Sequence, residues 1–491
     1  MRTAYRIETV RAAEAALMAK LPPGALMDRA AAGLAAACAG LLGRGRVSGA
    51  RIVVLAGSGD NGGDALYAGV RLARRGAGVT VVRLGSRVHE AGLAALLRAG
   101  GRVADDPYAA LARADLVLDG ITGIGGHGGL RPEAVPLVRA ARESGAVLVA
   151  VDLPSGVAAD TGEVAGEAVR ADATVTFGAY KPGLLVDPAR EYAGAVRLVG
   201  IGLELPGEPD LEALQHADVA GLLPAPAAES DKYGRGVVGV VAGSKRYPGA
   251  AVLAVAGALR GGAGAVRYVG PARDEVLARF PETLVHEGPP GEAGRVQAWV
   301  IGPGLGDTPG LDEVLAAEVP VLVDADGLGL LDPEAVRSRP APTVLTPHAG
   351  EAAQLLGTSR ERVEAGRLAA VRELAARFGA TVLLKGSTTL VAAPPPGPGA
   401  GGDGPASGGA VRVNPTGTPW LATAGSGDVL SGLTGSLLAA GLAPRDAASA
   451  GAYLHGLAAR RAARGAPVAA LDVADALPAA WRDVAGTEPG D

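Results

Sequence analysis

The chain is almost without cysteine: Cys38 is its one thiol in 491 residues. That excludes an internal disulfide framework and suits a reducing compartment. Positive charge is not in excess either. With a net charge of −5, no broad basic surface for nucleic acid is expected. Long apolar runs are missing. The longest early one, residues 30–42, is too short to span a bilayer and is interrupted by glycine. It also lies too far in, behind charged residues, for a typical signal peptide. A cytoplasmic protein with no membrane partner is the expectation. Aromatic residues make up only 3%, whereas glycine reaches 76 residues. Alanine-rich helices and glycine-rich turns give such a balance. The length suggests two to three domains.

The most informative stretch lies near the far end, Thr423-Ala424-Gly425-Ser426-Gly427-Asp428, followed by an apolar-faced helix through Val429, Leu430, Leu433, Leu437 and Leu438. Gly425, Ser426 and Gly427 therefore fall at a helix N-terminus. There the first backbone N–H groups lack partners and the dipole is positive, which seats phosphate. An aspartate beside bound phosphate repels it, so Asp428 is better placed to take a proton from a hydroxyl attacking that phosphate. The alternative is an ordinary capping aspartate.

In chain order, residues 7–19 and 24–42 read as helices. Residues 51–56 form an apolar run of the kind a buried parallel strand shows. It runs into Gly57-Ser58-Gly59-Asp60-Asn61-Gly62-Gly63-Asp64, and a helix is expected from Ala65 to Arg75. Gly57, Gly59 and Gly62 have dinucleotide-fingerprint spacing, but the next strand ends in Arg83 where an acidic ribose ligand is usual. A tight turn with no ligand is the other reading. Further strands end at Asp119, at Asp152 followed by Ser155, and at Thr176 and Phe177 ahead of Lys181. Asn61, Asp119, Asp152 and Ser155 sit at carboxyl ends of strands, where open α/β sheets bind ligands. Their oxygens suit a hard cation. Singly, each could be a cap or turn residue, and Lys181 a surface lysine.

These stretches closely resemble the epimerase domain of the NAD(P)H-hydrate repair enzymes over about the first 200 residues. The resemblance implies interconversion of the R and S epimers of NAD(P)H hydrated on its nicotinamide ring. It implies K⁺ held by Asn61, Asp119 and Ser155, and substrate contacts from Asp60, Asn61, Gly62, Gly63, Asp64, Gly123, Ile124, Gly125 and Asp152. Asp152 and Lys181 are the expected catalytic pair. Where this family has two asparagines before Gly-Gly-Asp, the first is Asp60 here.

Regular signals fade over residues 203–230, which are punctuated by Pro206, Gly207, Pro209, Pro224 and Pro226. A linker is expected there, with domains at 1–210 and 220–491. A second α/β series follows. Each expected strand delivers polar or glycine residues at its end: Gly243 onward, with Tyr247-Pro248 before a helix from Ala250; Gly302 to Gly306; Asp324 to Asp326; Thr346-Pro347-His348; Lys385-Gly386-Ser387-Thr388-Thr389. That recurrence points to one crevice. Residues 394–410 are Pro/Gly/Ser-rich and read as a flexible loop between two strands without function. Asp324 and Asp326 could orient Mg²⁺, with helix capping favoured; His348 could be a cap or core histidine.

From about Lys232 to Leu477 the chain resembles the dehydratase domain of the same family, of ribokinase-like fold. The whole is thus expected to be α/β, an N-terminal Rossmann-like three-layer domain followed by a C-terminal ribokinase-like domain. The resemblance implies that Lys385, Gly386, Ser387, Thr388, Thr389, Gly425, Ser426 and Gly427 hold ADP with Mg²⁺. It also implies that Ala250, Gly304, His348 and Asp428 contact the hydrated dinucleotide, with Asp428 carrying catalysis. Homo-oligomers are expected on the same ground. Two other readings stand beside this one: a ribokinase-like vitamin-precursor kinase with an accessory nucleotide-binding domain, and a non-catalytic nucleotide- or partner-binding module.

Overall fold

The structure, a computed structural model, describes residues 1–43, 47–85, 87–126, 128–205, 207–307, 309–395 and 409–486. Most of the Pro/Gly/Ser-rich stretch at 394–410 lies outside them. The chain divides into two compact units, Thr3–Asp210 and Leu211–Asp491 together with Met1–Arg2.

In the first unit seven strands pair in the order Arg102–Val103, Gly78–Arg83, Arg51–Ala56, Leu116–Gly120, Val147–Val151, Ala173–Phe177, Ala195–Val199, all parallel. The inner strands are buried on both faces, as runs such as Ile52-Val53-Val54-Leu55 require, while the edge strands Arg102–Val103 and Ala195–Val199 are partly exposed. Ile52 and Val54 pack with Leu34 and Leu66 from the helices Ala25–Leu41 and Asp60–Ala73. Val53 and Leu55 pack with Val138 and Ala141 from the helix Val135–Glu143. Alternate residues of one strand thus serve opposite helical layers, which gives the expected three-layer arrangement. Strand order reverses between Arg51–Ala56 and Leu116–Gly120, so the loops beginning at Gly57 and Ile121 open at a switch point.

The helix expected from Ala65 begins five residues earlier, at Asp60. The Gly63 N–H bonds the Gly59 carbonyl at 3.2 Å, closing the first turn inside what reads as a glycine loop. Gly62 and Gly63 are there for space: a Cβ at Gly62 would lie 2.4 Å from the Gly57 carbonyl oxygen, and one at Gly63 2.9 Å from Met27 Cε. Close approach therefore outweighs the roughly 1 kcal/mol helix penalty of each glycine.

In the second unit the parallel strands run Thr381–Leu384, Thr343–Leu345, Val321–Val323, Ala298–Ile301, Val237–Val241, Ala265–Val269, Leu284–His286. An antiparallel pair, Thr389–Ala392 and Val411–Asn414, extends the sheet beyond Thr381–Leu384. The stretch expected to be a linker contains structure: Leu211–Ala213 pairs with Val411 and Arg412, and His216–Ala220 is a helix. Glu212 bridges Arg412 and Arg445, which anchors that short strand. The helix expected from Ala250 starts at Pro248, a residue favoured in a first turn because it lacks an N–H to satisfy. The switch point falls between Val237–Val241 and Ala298–Ile301.

The helix Ser426–Ala439 lies over this sheet, its Gly435 so near that a Cβ would meet Val300 Cγ2 at 2.1 Å. It interlocks with the helix Pro248–Arg260 backbone to backbone. A Cβ on Gly432 would fall 1.9 Å from the Ala254 oxygen, and one on Gly257 2.1 Å from the Val429 oxygen. Those contacts fix where the first turn of Ser426–Ala439 points. Gly432→Ala is expected to destabilise the second unit by about 1–3 kcal/mol, overpacking exceeding the gain in helix propensity. In Gly40→Ala an added methyl meets nothing within 4 Å, so that variant is expected to be neutral or slightly stabilised. Thermal unfolding of both checks this; an unchanged Gly432→Ala midpoint would contradict the packing argument.

Candidate active sites

At the first switch point, Asp119 ends its strand fully buried. Its Oδ2 accepts the Ser155 N–H at 2.8 Å, and its Oδ1 lies 2.6 Å from Ser155 Oγ. Ser155 Oγ is also 3.0 Å from the Thr122 carbonyl oxygen. One hydroxyl proton serves two oxygens there, while the Thr122 N–H donates to Ser155 Oγ at 2.9 Å and the Ile121 N–H to Asp119 Oδ1 at 3.3 Å. The Asn61 side chain borders this cluster: its Oδ1 would lie 3.0 Å from a Cβ on Gly123, and its Nδ2 is buried without a partner. Burial pushes the Asp119 carboxyl up to about 6, against its bonds from Ser155. The structure thus brings Asp119 and Ser155 into contact with Asn61 at their border, and their carboxylate, hydroxyl and amide oxygens are donors of the kind a hard cation takes.

Asp152 stands just past its strand at φ 64°, a conformation aspartate tolerates better than most residues. Its Oδ1 accepts from Lys181 Nζ at 2.5 Å, Thr176 Oγ1 at 3.0 Å and Phe177 N at 3.2 Å. Lys181 is 1% exposed, so the surface-lysine alternative is wrong: the short path from Phe177 to Lys181 turns the side chain back under its own strand end. Asp60 and Asp64 open onto a cavity of about 740 Å³ that Glu14, Tyr67, His89 and Phe177 also line. Burial first, then Asp152, Asp60 and Glu14, hold the Asp64 carboxyl well above its usual range, partly countered by Lys181. Burial also raises Glu14. Glu14, from the N-terminal helix Ile7–Met18, was not legible in the sequence, because no spacing links it to residues fifty positions on. Gly125 lines a smaller cavity of about 150 Å³ with Gly57, Ser58, Thr122 and Gly156. Ile124 instead packs against a small apolar cluster around Leu153 and Leu184.

In the second unit Gly425, at φ 85°, caps the helix Ser426–Ala439. Asp428 thus occupies its first turn. Ser426 turns its hydroxyl to the Leu421 carbonyl at 2.8 Å, so what it offers a ligand is backbone. A Cβ on Gly427 would lie 3.4 Å from Lys385 Nζ and 3.9 Å from Asp324 Oδ2, which brings the two nucleotide stretches together. Asp324 is 1% exposed and does not cap the helical turn it precedes. Its Oδ1 holds Lys385 Nζ at 2.7 Å and its Oδ2 takes the Ser431 hydroxyl at 2.6 Å. The capping expectation for Asp324 is therefore overturned, since the lysine outbids backbone N–H groups for the carboxylate. Asp326 does not cap either; it accepts the Gly306 N–H at 3.0 Å.

Burial, reinforced by Asp324 and countered by Lys385, pushes Asp428 up to about 7, with Asp326 and Glu351 adding to the rise. Glu351, absent from the sequence-derived set, lies 3.7 Å from Lys385 Nζ. His348 caps the helix Ala349–Leu356: its Nδ1 accepts from Gly350 N and Glu351 N, and Glu351 returns a bond to His348 N. Its side chain as a whole is exposed, with Nε2 3.5 Å from Glu351 Oε1. Gly304, at φ 58°, would place a Cβ 2.6 Å from Ala250 Cβ, so these two form one wall. Gly302, 1.8 Å from the Asp324 oxygen by the same measure, joins that wall to the lysine.

Residues 385–388 make the turn between antiparallel strands, and Thr389 begins the second of them. Arg367, buried and unforeseen, fastens the turn through the Leu384, Lys385 and Thr388 carbonyls at 3.3, 3.0 and 3.3 Å. Its guanidinium lies against Gly386, and Thr389 Oγ1 reaches the Gly386 carbonyl at 3.3 Å. A Cβ on Gly417 would come 2.9 Å from the Ser387 oxygen. Thr388 is buried.

A helix N-terminus with a part-buried lysine and an aspartate, beside the carboxyl ends of parallel strands, defines a class of nucleotide-using α/β enzyme. The comparisons with known proteins place it more narrowly. Residues 238–479 match the family model described as NAD(P)H-hydrate dehydratase, and residues 23–183 match that of the YjeF-related protein N-terminus. A bifunctional NAD(P)H-hydrate repair enzyme of Mycobacterium leprae is 49% identical, with 94% of each chain covered. One of Mycobacterium tuberculosis is 48% identical, over 91% of this chain and 92% of that one. Among solved structures, the Bacillus subtilis ADP/ATP-dependent NAD(P)H-hydrate dehydratase, co-crystallised with ATP/Mg²⁺, is 30% identical, with a TM-score of 0.49, over 55% of this chain and 97% of that one. The chain belongs to the bifunctional NAD(P)H-hydrate repair enzymes. Of the three readings set out above, membership selects the first.

Proposed function

We propose that the chain epimerises hydrated NAD(P)H in its first unit and, in its second, dehydrates the S epimer at the expense of ADP. The observation that carries the second half is the convergence of Lys385, Gly427 and Asp428 at one helix N-terminus. Hydroxide is a poor leaving group, so the ring hydroxyl must first be converted into a better one. The terminal phosphate of ADP would rest on the N–H groups of Gly427 and Asp428, and Lys385 would swing from Asp324 to offset its charge. The Asp428 carboxylate accepts the proton of the ring hydroxyl as its oxygen forms a bond to phosphorus and the bond to AMP breaks. The ring nitrogen's lone pair then expels phosphate. Loss of a proton from the adjacent ring carbon restores NAD(P)H, leaving AMP and phosphate as products. Asp324 and Glu351, the carboxylates around Lys385, are oxygen donors of the kind that would hold Mg²⁺, which when bound would neutralise charge on the nucleotide phosphates.

In the first unit the hydrated nicotinamide would lie against Asp152. Lys181 fixes that carboxylate where it can exchange a proton with the ring hydroxyl, while Asp60 to Asp64 and Gly123 to Gly125 accept the rest of the dinucleotide. K⁺ would be held by Asn61, Asp119 and Ser155, fixing the two loops of the switch point. Among the described residues no helix is long and apolar enough to cross a membrane. A cytoplasmic homo-oligomer acting on small molecules completes the proposal.

Replacing Asp428 by alanine is expected to slow dehydration by on the order of 10²–10⁴-fold while leaving epimerisation intact, read as recovery of the NADH absorbance band from hydrated NADH and ADP. Because the ionised carboxylate is the active form, wild-type kcat/KM should rise with pH through about 7 and then level off. Dehydration that persists in Asp428→Ala, or falls over that range, would remove the base assignment. Potassium chloride should raise the thermal midpoint of the first unit above that in choline chloride of equal strength, and Asp119→Asn should abolish the difference. Equal midpoints in both salts would contradict the cation site.

A further inference from the structure

Two loops meet at the switch point of the second unit, 243–247 and 302–306. The Gly243 N–H donates to the Pro303 carbonyl at 2.8 Å. A Cβ on Gly304 would fall 3.1 Å from Tyr247 Cβ, and one on Gly306 3.3 Å from Ser244 Oγ. Within the first loop the Tyr247 N–H donates to the Ser244 carbonyl at 3.1 Å. The backbone around Tyr247 is therefore held both by its own loop and by the facing one.

The side chain of Tyr247 is not held in that way. It is 47% exposed, and it makes no capping bond to the helix Pro248–Arg260 that it precedes. The Arg246 guanidinium stands over one face of its ring, 5.1 Å from the centroid. The opposite face is the one open to a ligand. Tyr247 also adjoins the wall that Ala250 and Gly304 form.

The place of that wall decides which part of a ligand the ring would meet. Asp428 occupies the turn that follows Gly425. Gly425 meets the helix Pro248–Arg260 at Leu253, where a Cβ would lie 2.3 Å from Leu253 Cδ1. Tyr247 precedes Leu253 by roughly 9 Å along the helix axis, at 1.5 Å per residue, with Ala250 between them. A hydrated ring seated at Asp428 thus directs the rest of its dinucleotide along the wall toward Tyr247. That remainder carries pyrophosphate and ends in adenine. Lys245 and Arg246, both exposed on the same loop, offer positive charge to the first. An aromatic face suits the second, because a base stacks on it.

We propose that Tyr247 is a substrate-binding residue of the second unit, whose open ring face stacks the adenine base of the hydrated dinucleotide while Arg246 braces the other face. The proposal rests on the reading of this unit as the dehydratase. It makes the adenosine half a handle. Stacking there is the same before and during reaction, so it lowers KM and leaves kcat alone.

The test uses the full chain with saturating ADP, carrying Tyr247→Ala or Tyr247→Phe. The substrates are S-hydrated NADH and hydrated reduced nicotinamide mononucleotide, which keeps the reacting ring but lacks the adenosine half. Tyr247→Ala should raise KM for hydrated NADH about tenfold, the loss of one base–aromatic stack, with kcat within about twofold of wild type. Tyr247→Phe keeps the ring and should match wild type. For the mononucleotide, as substrate or as inhibitor competing with hydrated NADH, wild type and Tyr247→Ala should be equal. ADP affinity by calorimetry and the thermal midpoint should not change. An unchanged KM for hydrated NADH in Tyr247→Ala would overturn the proposal. So would an equal loss on the mononucleotide, which would put the residue on the reacting ring or make its role structural, and so would weakened ADP binding. A wild type that dehydrates neither substrate would sink the dehydratase reading and the proposal with it, whereas failure of the proposal alone leaves wild-type turnover of hydrated NADH intact.

Discussion

The ion pair between buried Asp324 and part-buried Lys385 is the interaction on which the second unit's crevice depends. It joins the end of one strand to the start of the antiparallel turn, and Ser431 ties the same carboxylate to the helix Ser426–Ala439. Three elements distant in sequence are thereby held around one charge. Pairs of this kind add little net stability, because desolvating two ions offsets most of their attraction. Their value is in geometry: the lysine is kept extended beside Gly427, in reach of whatever anion the helix end receives. Until then Asp324 and Glu351 occupy it. An arriving phosphate has only to displace a carboxylate already close by, so little reorganisation is needed.

The first unit solves the same problem with different parts. Asp152 and Lys181 form the buried pair, and Asp119 with Ser155 forms a second polar knot one strand away. Both knots stand at carboxyl ends of parallel strands next to a reversal of strand order, where two loops part and leave room. In each unit a glycine pressed against backbone sets how closely those loops approach. Gly57 meets the Ile121 carbonyl, and Gly302 meets that of Asp324, at distances no Cβ could accept. The protein therefore spends its glycines on proximity of walls as much as on turns.

Much of this was legible in the chain itself. Runs such as Ile52-Val53-Val54-Leu55 and Val321-Leu322-Val323 declare parallel strands, because a strand covered on both faces must be apolar throughout. The residue that follows each run then marks the crevice. What stayed hidden depended on partners far along the chain. Asp324 reads as a cap until Lys385, 61 residues on, is seen beside it. Leu211–Ala213 is too short to show a period and is a strand because partners far along the chain, Val411 and Arg412, pair with it. The helix beginning at Asp60 contradicts the usual meaning of Gly-Gly, since packing against Met27 and Gly57 overrides propensity there. Glu14 and Arg367 lie on ordinary helices, and no local pattern separates them from their neighbours.

Family membership fixes the class of chemistry; the account offered for it stands on where the nucleotide sits. The most direct measurement is a crystal structure of the full chain with ADP. The account predicts the terminal phosphate within hydrogen-bonding distance of the Gly427 and Asp428 N–H groups, with Lys385 Nζ moved from Asp324 onto it and the Asp428 carboxylate facing the space left for the hydrated ring. ADP bound away from that turn, or bound there with Lys385 still on Asp324 and Asp428 directed to solvent, would contradict it.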